Sequence, residues 1–326
     1  MVATPDWDGG RGAVTVIDGS AGLDGSISAA NSLVGNRTGD RAGSGGVYAL
    51  SNGNLVIHSP TAQNADESRF AALTLIDGAM PPTGALTLQD SAYDAETADL
   101  GYRSVVPLTN GNFVFTDPGW DITDPDDEIL VEDVGIVRVF SGELASPNRP
   151  TGLITSSGSL TGTSFRDQVG SRGVVALSDG DFAVLSAEWN DPVGEIQQAG
   201  AVTWQSGSGP VEDTVSPDNS LVGSSKQDRV GSNGLVPLGG GAAVVMSPQW
   251  RIDDDRLSSG AVTWVSGSDP TTGPVSTANS LYGTSANDRV GSGFAIELSD
   301  ANFVTMSPLW GGGRGATTRG SGTAGI

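Results

Sequence analysis

Residues Asp228–Trp264, DRVGSNGLVPLGGGAAVVMSPQWRIDDDRLSSGAVTW, decide how this chain is read, because every other segment aligns with them as a copy or half a copy. The preceding copy, from Asp167, shows the strands most plainly. Gly173–Leu177 is a short apolar run, Ser178–Asp181 (SDGD) has hairpin-turn chemistry, and Phe182–Leu185 is the returning run. After a loop of variable length, Gly200–Trp204 (GAVTW) gives a third strand, and Asn219–Gly223 (NSLVG) a weaker fourth. These are strands A to D of an antiparallel meander.

Copies begin at Asp40, Asp99, Asp167, Asp228 and Asp288, at intervals of 59 to 68 residues. Such a period is too long for the common solenoids and fits a four-stranded propeller blade. Residues 1–39 match the second half of the unit: Trp7 aligns with Trp250, and Gly12–Val16 with Gly260–Trp264. The copy at Asp288 supplies strands A and B over 288–310 and then degenerates into GGGRGATTRGSGTAGI.

The expected fold class is therefore all-β, a single five-bladed β-propeller domain. Residues 40–98, 99–166, 167–227 and 228–287 form its full blades, and 1–39 complete the blade begun at 288–310. On this reading Gly12–Val16 lies beside Phe303–Met306, which would remove two open sheet edges at once. The segment Gly315–Gly322 carries Thr317 and Arg319 where apolar residues are expected, so 311–326 read as a degenerate or disordered tail.

Composition agrees with the class. Forty-eight glycines and only 6% aromatic residues suit many short strands joined by tight turns. The formal charge of -22, with Lys226 the sole lysine, makes nucleic acid a poor partner, since phosphate binding needs clustered cations. The same charge favours solubility in salt and suits an extracellular or cell-surface setting. Without cysteine there is no disulfide framework, thiolate nucleophile or cysteine metal site. No 18-residue apolar run suggests membrane insertion, and residues 1–20 lack the pattern of a signal peptide. Because the sequence opens in mid-repeat, a signal could have been removed, and the chain reads as a monomer or part of a longer one.

Two recurrent residues are candidates for a ligand-binding rim. An Asp opens each copy (Asp40, Asp99, Asp167, Asp228, Asp288), and a Trp follows strand B at Trp7, Trp120, Trp189, Trp250 and Trp310. In a meander the B to C and D to A connections emerge on one face, so these residues share it. Tryptophans spaced around a ring suit sugar stacking, but they equally suit sealing one blade against the next. The Asp can hold a polar ligand, or cap the turn entering strand A while the following Arg ties neighbouring blades, a role that explains its recurrence. Trp204 and Trp264, within strand C, are expected in the core.

The B to C loops are the most variable and most acidic. Asp124, Asp126 and Asp127 in one, and Asp253, Asp254 and Asp255 in another, are weak candidates for a hard cation such as Ca2+, although their spacing matches no EF-hand-like loop. A solvated acidic loop explains them as well. His58 is the sole histidine, so a Ser/His/Asp triad could be built only from it, and no GxSxG elbow accompanies it. No carboxylate pair stands out from the repeat background for glycoside hydrolysis.

The order DRVGS, apolar strand, LSDGDF turn, strand ending in Ser-Pro, then GAVTW resembles the FG-GAP repeats of integrin-α-like propellers over nearly the whole chain. Val169–Gly170 and Val230–Gly231 stand where that family has FG, and Ser247–Pro248 and Ser307–Pro308 where it has GAP. The units are still more similar to tandem repeats of very large bacterial surface and haemagglutinin-like proteins, which implies adhesion or surface display. The family's calcium loop does not carry over, because the A to B turns here read SNGN, TNGN, SDGD, GGGA and SDAN, with too few carboxylates for a six- to eight-oxygen site. No other cofactor is implied. The expected function is thus a non-catalytic binding or adhesion module for a glycan or cell-surface protein. The alternatives are a purely structural module of a long surface array and, third, a glycoside hydrolase or lyase-type enzyme.

Overall fold

The computed structural model describes residues 1–20, 22, 24–63, 69–80, 82–94, 103–124, 128–211 and 213–324. It is an all-β structure whose described residues fall into two compact units. The first comprises Met1–Phe115, Arg138–Gly158 and Ser208–Pro210, the second Thr116–Val137, Ser159–Gly207 and Val211–Ile326.

In the first unit, one sheet orders Val2–Thr4, Ala13–Thr15, Leu33–Val34 and Gly84–Ala85. A second orders Gly46–Ala49, Leu55–Gln63, Arg69–Ile76, Ser91–Asp94 and Gly152–Leu153. Val14 and Leu33 of the first sheet pack with Ile57, Ala62, Phe70 and Ala72 of the second, so the two sheets share one core.

The second unit repeats the plan. Val174–Ala176, Phe182–Ser186, Ala201–Gln205 and Ser220–Val222 form one meander, and Leu235–Pro237, Ala243–Ser247, Ala261–Val265 and Ser280–Tyr282 the next. Leu185, Val202 and Leu221 of the former pack with Ala243, Val245 and Trp250 of the latter. Strand B is an unbroken buried run in both, Phe182–Ser186 and Ala243–Ser247, because each of these strands is covered on both faces. A last sheet, Ala295–Glu297, Phe303–Ser307 and Ala316–Gly320, alternates buried and half-buried positions along strand B, the pattern of a sheet covered on one face.

The meander reading of strands A to D therefore holds, while the closure does not. Ala13–Thr15 pairs with Val2–Thr4 and with Leu33–Val34, not with the strand at 303–307. That strand takes Ala316–Gly320, in continuous register from Phe303 opposite Gly320 to Ser307 opposite Ala316. The supposed tail is thus strand C of its own copy. The physical reason is locality: a tight turn at Trp310–Gly313, with Gly311 and Gly312 at φ 64° and 75°, brings Ala316 back at small loop entropy. Backbone ladder bonds do not need an apolar side chain at Arg319, whose guanidinium instead pairs with Asp300 at 2.6 Å.

One element has no counterpart in the sequence reading. The outer edge of strand D carries a short parallel fifth strand supplied by the following copy. Leu33–Val34 is flanked by Gly84–Ala85, Ala92–Tyr93 by Gly152–Leu153, Leu160–Thr161 by Asp213–Thr214, and Leu221–Val222 by Gly273–Pro274. The next residue is aliphatic each time, and its amide donates to a strand D carbonyl: Leu86 to Val34 at 2.8 Å, Ile154 to Tyr93 at 2.7 Å, Val215 to Thr161 at 3.1 Å and Val275 to Val222 at 2.9 Å. All four aliphatic side chains are only 2–4% exposed. Each copy is thereby strapped to the one before it.

Candidate functional site

The rim of B to C and D to A connections exists, and the recurrent Asp organises it. Asp228 is fully buried; its Oδ2 accepts the Ser224 and Ser225 amides at 3.0 and 2.9 Å, and its Oδ1 accepts the Arg251 amide at 3.2 Å. Asp167 does the same with Thr163 and Ser164, both at 2.8 Å, and with the Asn190 amide at 3.0 Å. Asp288 holds Thr284, Ser285 and Gly311 at 3.0, 2.9 and 3.0 Å, and Asp40 accepts the Arg37 amide at 2.7 Å. Each of the first three carboxylates clamps the turn entering strand A to the start of the next B to C loop. Burial pushes the Asp228 carboxyl up to about 6 against the Ser225, Ser224 and Arg251 amides, which hold it down. Burial likewise raises Asp167 and Asp40, again opposed by backbone amides. Asp99, the remaining member of the series, lies outside the described residues.

The residue after the clamp has left-handed backbone, at φ 48° for Arg41, 45° for Gln168, 46° for Arg229 and 45° for Arg289. This aims two of the arginines at the preceding copy: Arg229 meets Glu188 at 3.2 Å and Arg41 meets Asp6 at 3.1 Å. The amides of Arg229 and Val230 donate to Gln198 and Ala199 at 3.1 and 3.0 Å, which lays the end of one B to C loop along the start of the next copy.

The tryptophans divide by environment. Trp189 is fully buried, Trp250 and Trp120 nearly so, and their rings are engaged in packing; Trp7 is half-buried and Trp310 is 41% exposed. Trp204 and Trp264, expected in the core, are only half-buried because they stand on the strand C face beside later turns. Trp264 donates its indole N–H to the Gly322 carbonyl at 3.1 Å. Sequence alone does not separate these two sets, since both lie at equally regular repeat positions.

Of the acidic loop residues, Asp253 pairs with Arg256, whose side chain holds its carboxyl below the usual range, and the fully exposed Asp254 lies 3.6 Å from Arg251. Asp124 accepts the Glu128 amide at 2.9 Å, while Asp126 and Asp127 lie outside the described residues. No group of three or more potential metal ligands occurs among the described residues. His58 is buried within Leu55–Gln63, edge-on to Phe115 at 6.3 Å; burial, and then the nearby Arg103 charge, lower its pKa to about 4, so its ring is neutral.

The most developed cavity on the rim, about 660 Å3, lies at the loop following Trp189. Its walls include Phe165, Glu188, Asn190, Ile196, Gln197 and Lys226, drawn from both kinds of connection. The loop is a fixed hairpin: Asp191 and Ile196 exchange backbone bonds of 2.9 and 3.0 Å, and the Asp191 carboxylate accepts the Val193 and Gly194 amides. Phe165 is 54% exposed, with the Arg166 guanidinium 4.8 Å from its ring centre.

Fold and rim together define a class: an all-β array of blade-like meanders whose recurrent polar residues close turns. The chain belongs to the family described as a repeat of unknown function (DUF5650), whose model matches six successive segments, 1–44, 49–99, 107–171, 176–232, 237–292 and 297–326. Six copies, where five blades were expected, agree with the self-contained pairing of both end segments. No curated protein matches the chain. Among the described residues no helix is long and apolar enough to cross a membrane.

Proposed function

We propose that this chain is a non-catalytic structural repeat module, a strapped scaffold that holds variable rim loops at fixed spacing. One observation carries the reading: the recurrent residues that could have served a ligand are engaged internally. The carboxylates of Asp167, Asp228 and Asp288 each bind three backbone amides, and Trp189 and Trp250 are buried. The net charge of -22 supports placement in a saline extracellular or cell-surface setting.

A second reading, recognition of a glycan or protein loop, is favoured by the 660 Å3 cleft, where exposed Phe165 adjoins the side-chain amides of Asn190 and Gln197. One screen separates the two. The folded chain is tested on glycan arrays and by thermal shift. The scaffold reading expects neither saturable binding nor a rise in Tm. A ligand whose binding is lost in Gln197→Ala, with Tm unchanged, would replace it with the second reading.

A further inference from the structure

The strapping scheme leaves one strap without a partner and one edge without a strap. The strap has a recognisable form: a two-residue strand, then a buried aliphatic, as in Gly84-Ala85-Leu86, Gly152-Leu153-Ile154, Asp213-Thr214-Val215 and Gly273-Pro274-Val275. In the first copy the equivalent residues are Gly25-Ser26-Ile27, six positions before Asn31 just as Gly273 lies six before Asn279.

This first strap is already shaped for pairing. The Asn31 amide nitrogen donates to the Ser26 carbonyl at 3.0 Å and its Oδ1 accepts the Ser28 amide at 2.9 Å. Asn279 makes the same two bonds, to Pro274 and from Ser276, at 3.1 and 2.8 Å, and Asn219 makes them to Thr214 and from Ser216, at 2.9 and 3.0 Å. Gly25 has φ 111°, in the left-handed range shared by Gly84, Gly152 and Gly273. Yet Gly25 and Ser26 are exposed, Ile27 is only half-buried, and no sheet includes them.

The complementary vacancy is strand D of the fifth copy, Ser280–Tyr282. It forms the edge of a four-stranded sheet, with no fifth strand among the described residues. Its three residues are all half-buried, whereas Ser220–Val222, the same strand with its strap in place, is buried throughout. Leu281 packs on the core formed by Val262, Val290 and Phe303 while staying partly open; its strapped equivalents Leu33, Leu160 and Leu221 are closed off.

From this we infer that the chain associates head to tail: Gly25–Ser26 of one copy adds in parallel to Leu281–Tyr282 of a second, and Ile27 fills the gap beside Leu281. The four internal straps set the register, Leu281 opposite Gly25 and Tyr282 opposite Ser26, with the Ile27 amide donating to the Tyr282 carbonyl. Strand addition of this kind draws on main-chain bonds for affinity and on one side-chain pocket for selection. A single donor and a single acceptor per chain make the contact heterologous, so it propagates. Both partners carry a charge of -22, so the association strengthens as salt screens their repulsion. The inference rests on the scaffold reading, because it treats the strap as the joint between copies.

The absence of cysteine allows a clean trap. The full chain carrying Ser26→Cys and Tyr282→Cys is oxidised with diamide in moderate salt and run without reductant. Alongside it runs the chain carrying Val222→Cys and Pro274→Cys, a pair that faces across an internal strap. The expected result is a ladder of disulfide-linked multimers from the first, an intrachain bridge from the second, and about a tenfold loss of the ladder on adding Ile27→Asp, equivalent to roughly 1.4 kcal/mol. An internal bridge with no ladder, or with only crosslinked monomer from the Ser26/Tyr282 pair, overturns head-to-tail association and leaves the scaffold standing. Failure of the internal bridge overturns the strapped scaffold itself. Mixed single variants, Ser26→Cys with Tyr282→Cys, give heterodimer in excess over both homodimers if the register is right, and equal mixtures if contact is random.

Discussion

The Ser247 hydroxyl accepts the Gly231 amide at 3.1 Å, joining the end of strand B to the turn that enters strand A of the same copy. The bond recurs between Ser59 and Gly43 at 3.0 Å, Ser186 and Gly170 at 3.1 Å, and Ser307 and Gly291 at 3.2 Å. It explains why Val-Gly-Ser and Ser-Pro travel together through the sequence: each half of the motif satisfies the other. Ser247→Ala leaves the Gly231 amide buried without that partner and costs about 1–3 kcal/mol. Urea unfolding should show a lower midpoint with an unchanged m-value.

Glycine opening strand C meets two constraints at once. Gly200 has φ 74°, and a Cβ there would stand 2.2 Å from the Val230 nitrogen; Gly260 faces Val290 at 2.3 Å in the same way. Gly315, in the last copy, has φ 77°, but its nearest neighbour, the Pro308 carbonyl, would be 3.4 Å away. Left-handed backbone costs an alanine roughly 1–2 kcal/mol at either site, and at Gly200 the clash with main chain adds to it. Gly200→Ala should therefore lower Tm clearly more than Gly315→Ala, as calorimetry of the two variants would show.

These cases mark how much was legible. Period, meander and turn glycines are written in the sequence because each copy obeys the same local sterics, and the clamp role of Asp228 follows from its place before a tight turn. The straps are not legible, because two residues of strand have no alternation to read and their partner lies about one repeat away. The closure failed for a related reason: Ala13–Thr15 and Ala316–Gly320 have equivalent patterns, and only loop length distinguishes which of them lies beside Phe303. Trp189 and Trp204 are equally periodic, so pattern gives no sign that one is sealed and the other half-open.

Strand C and strand D are pinned by a buried hydroxyl pair, Thr203 with Ser220 at 2.7 Å, repeated at Thr15 with Ser32, Thr74 with Ser91 and Thr263 with Ser280. Removing one partner, as in Ser220→Ala, leaves the other desolvated and costs about 1–3 kcal/mol, whereas Thr203→Val with Ser220→Ala together is nearly neutral. A double-mutant cycle by urea denaturation measures the coupling. Additive losses would mean that the hydroxyls do not bond to each other.

The raised carboxyl of Asp228 makes stability depend on pH with a definite sign. Its folded value, about 6, lies above the 3.8 of an unperturbed aspartate, so the folded chain holds this proton more tightly. Its contribution is complete below pH 3.8 and is lost as pH rises through 6, by roughly 3 kcal/mol. Asp228→Asn removes the titration. Subtracting its unfolding free energy from that of the unaltered chain across this window should leave a curve falling with pH, while a flat or rising difference would show that the amides outweigh burial.

Trp189 and Trp310 occupy the same repeat position in opposite environments, fully buried and 41% exposed. Trp189→Ala empties a large volume among packed residues and costs about 3–5 kcal/mol. Trp310→Ala removes a ring that is already largely hydrated and costs under about 1 kcal/mol. If tryptophan at this position served chiefly for stacking on a ligand, both variants would fold normally and lose binding together. A large loss of Tm in Trp189→Ala, with little change in Trp310→Ala, assigns the repeated tryptophan to holding neighbouring copies together and leaves the loops between strands B and C as the place where partners are distinguished.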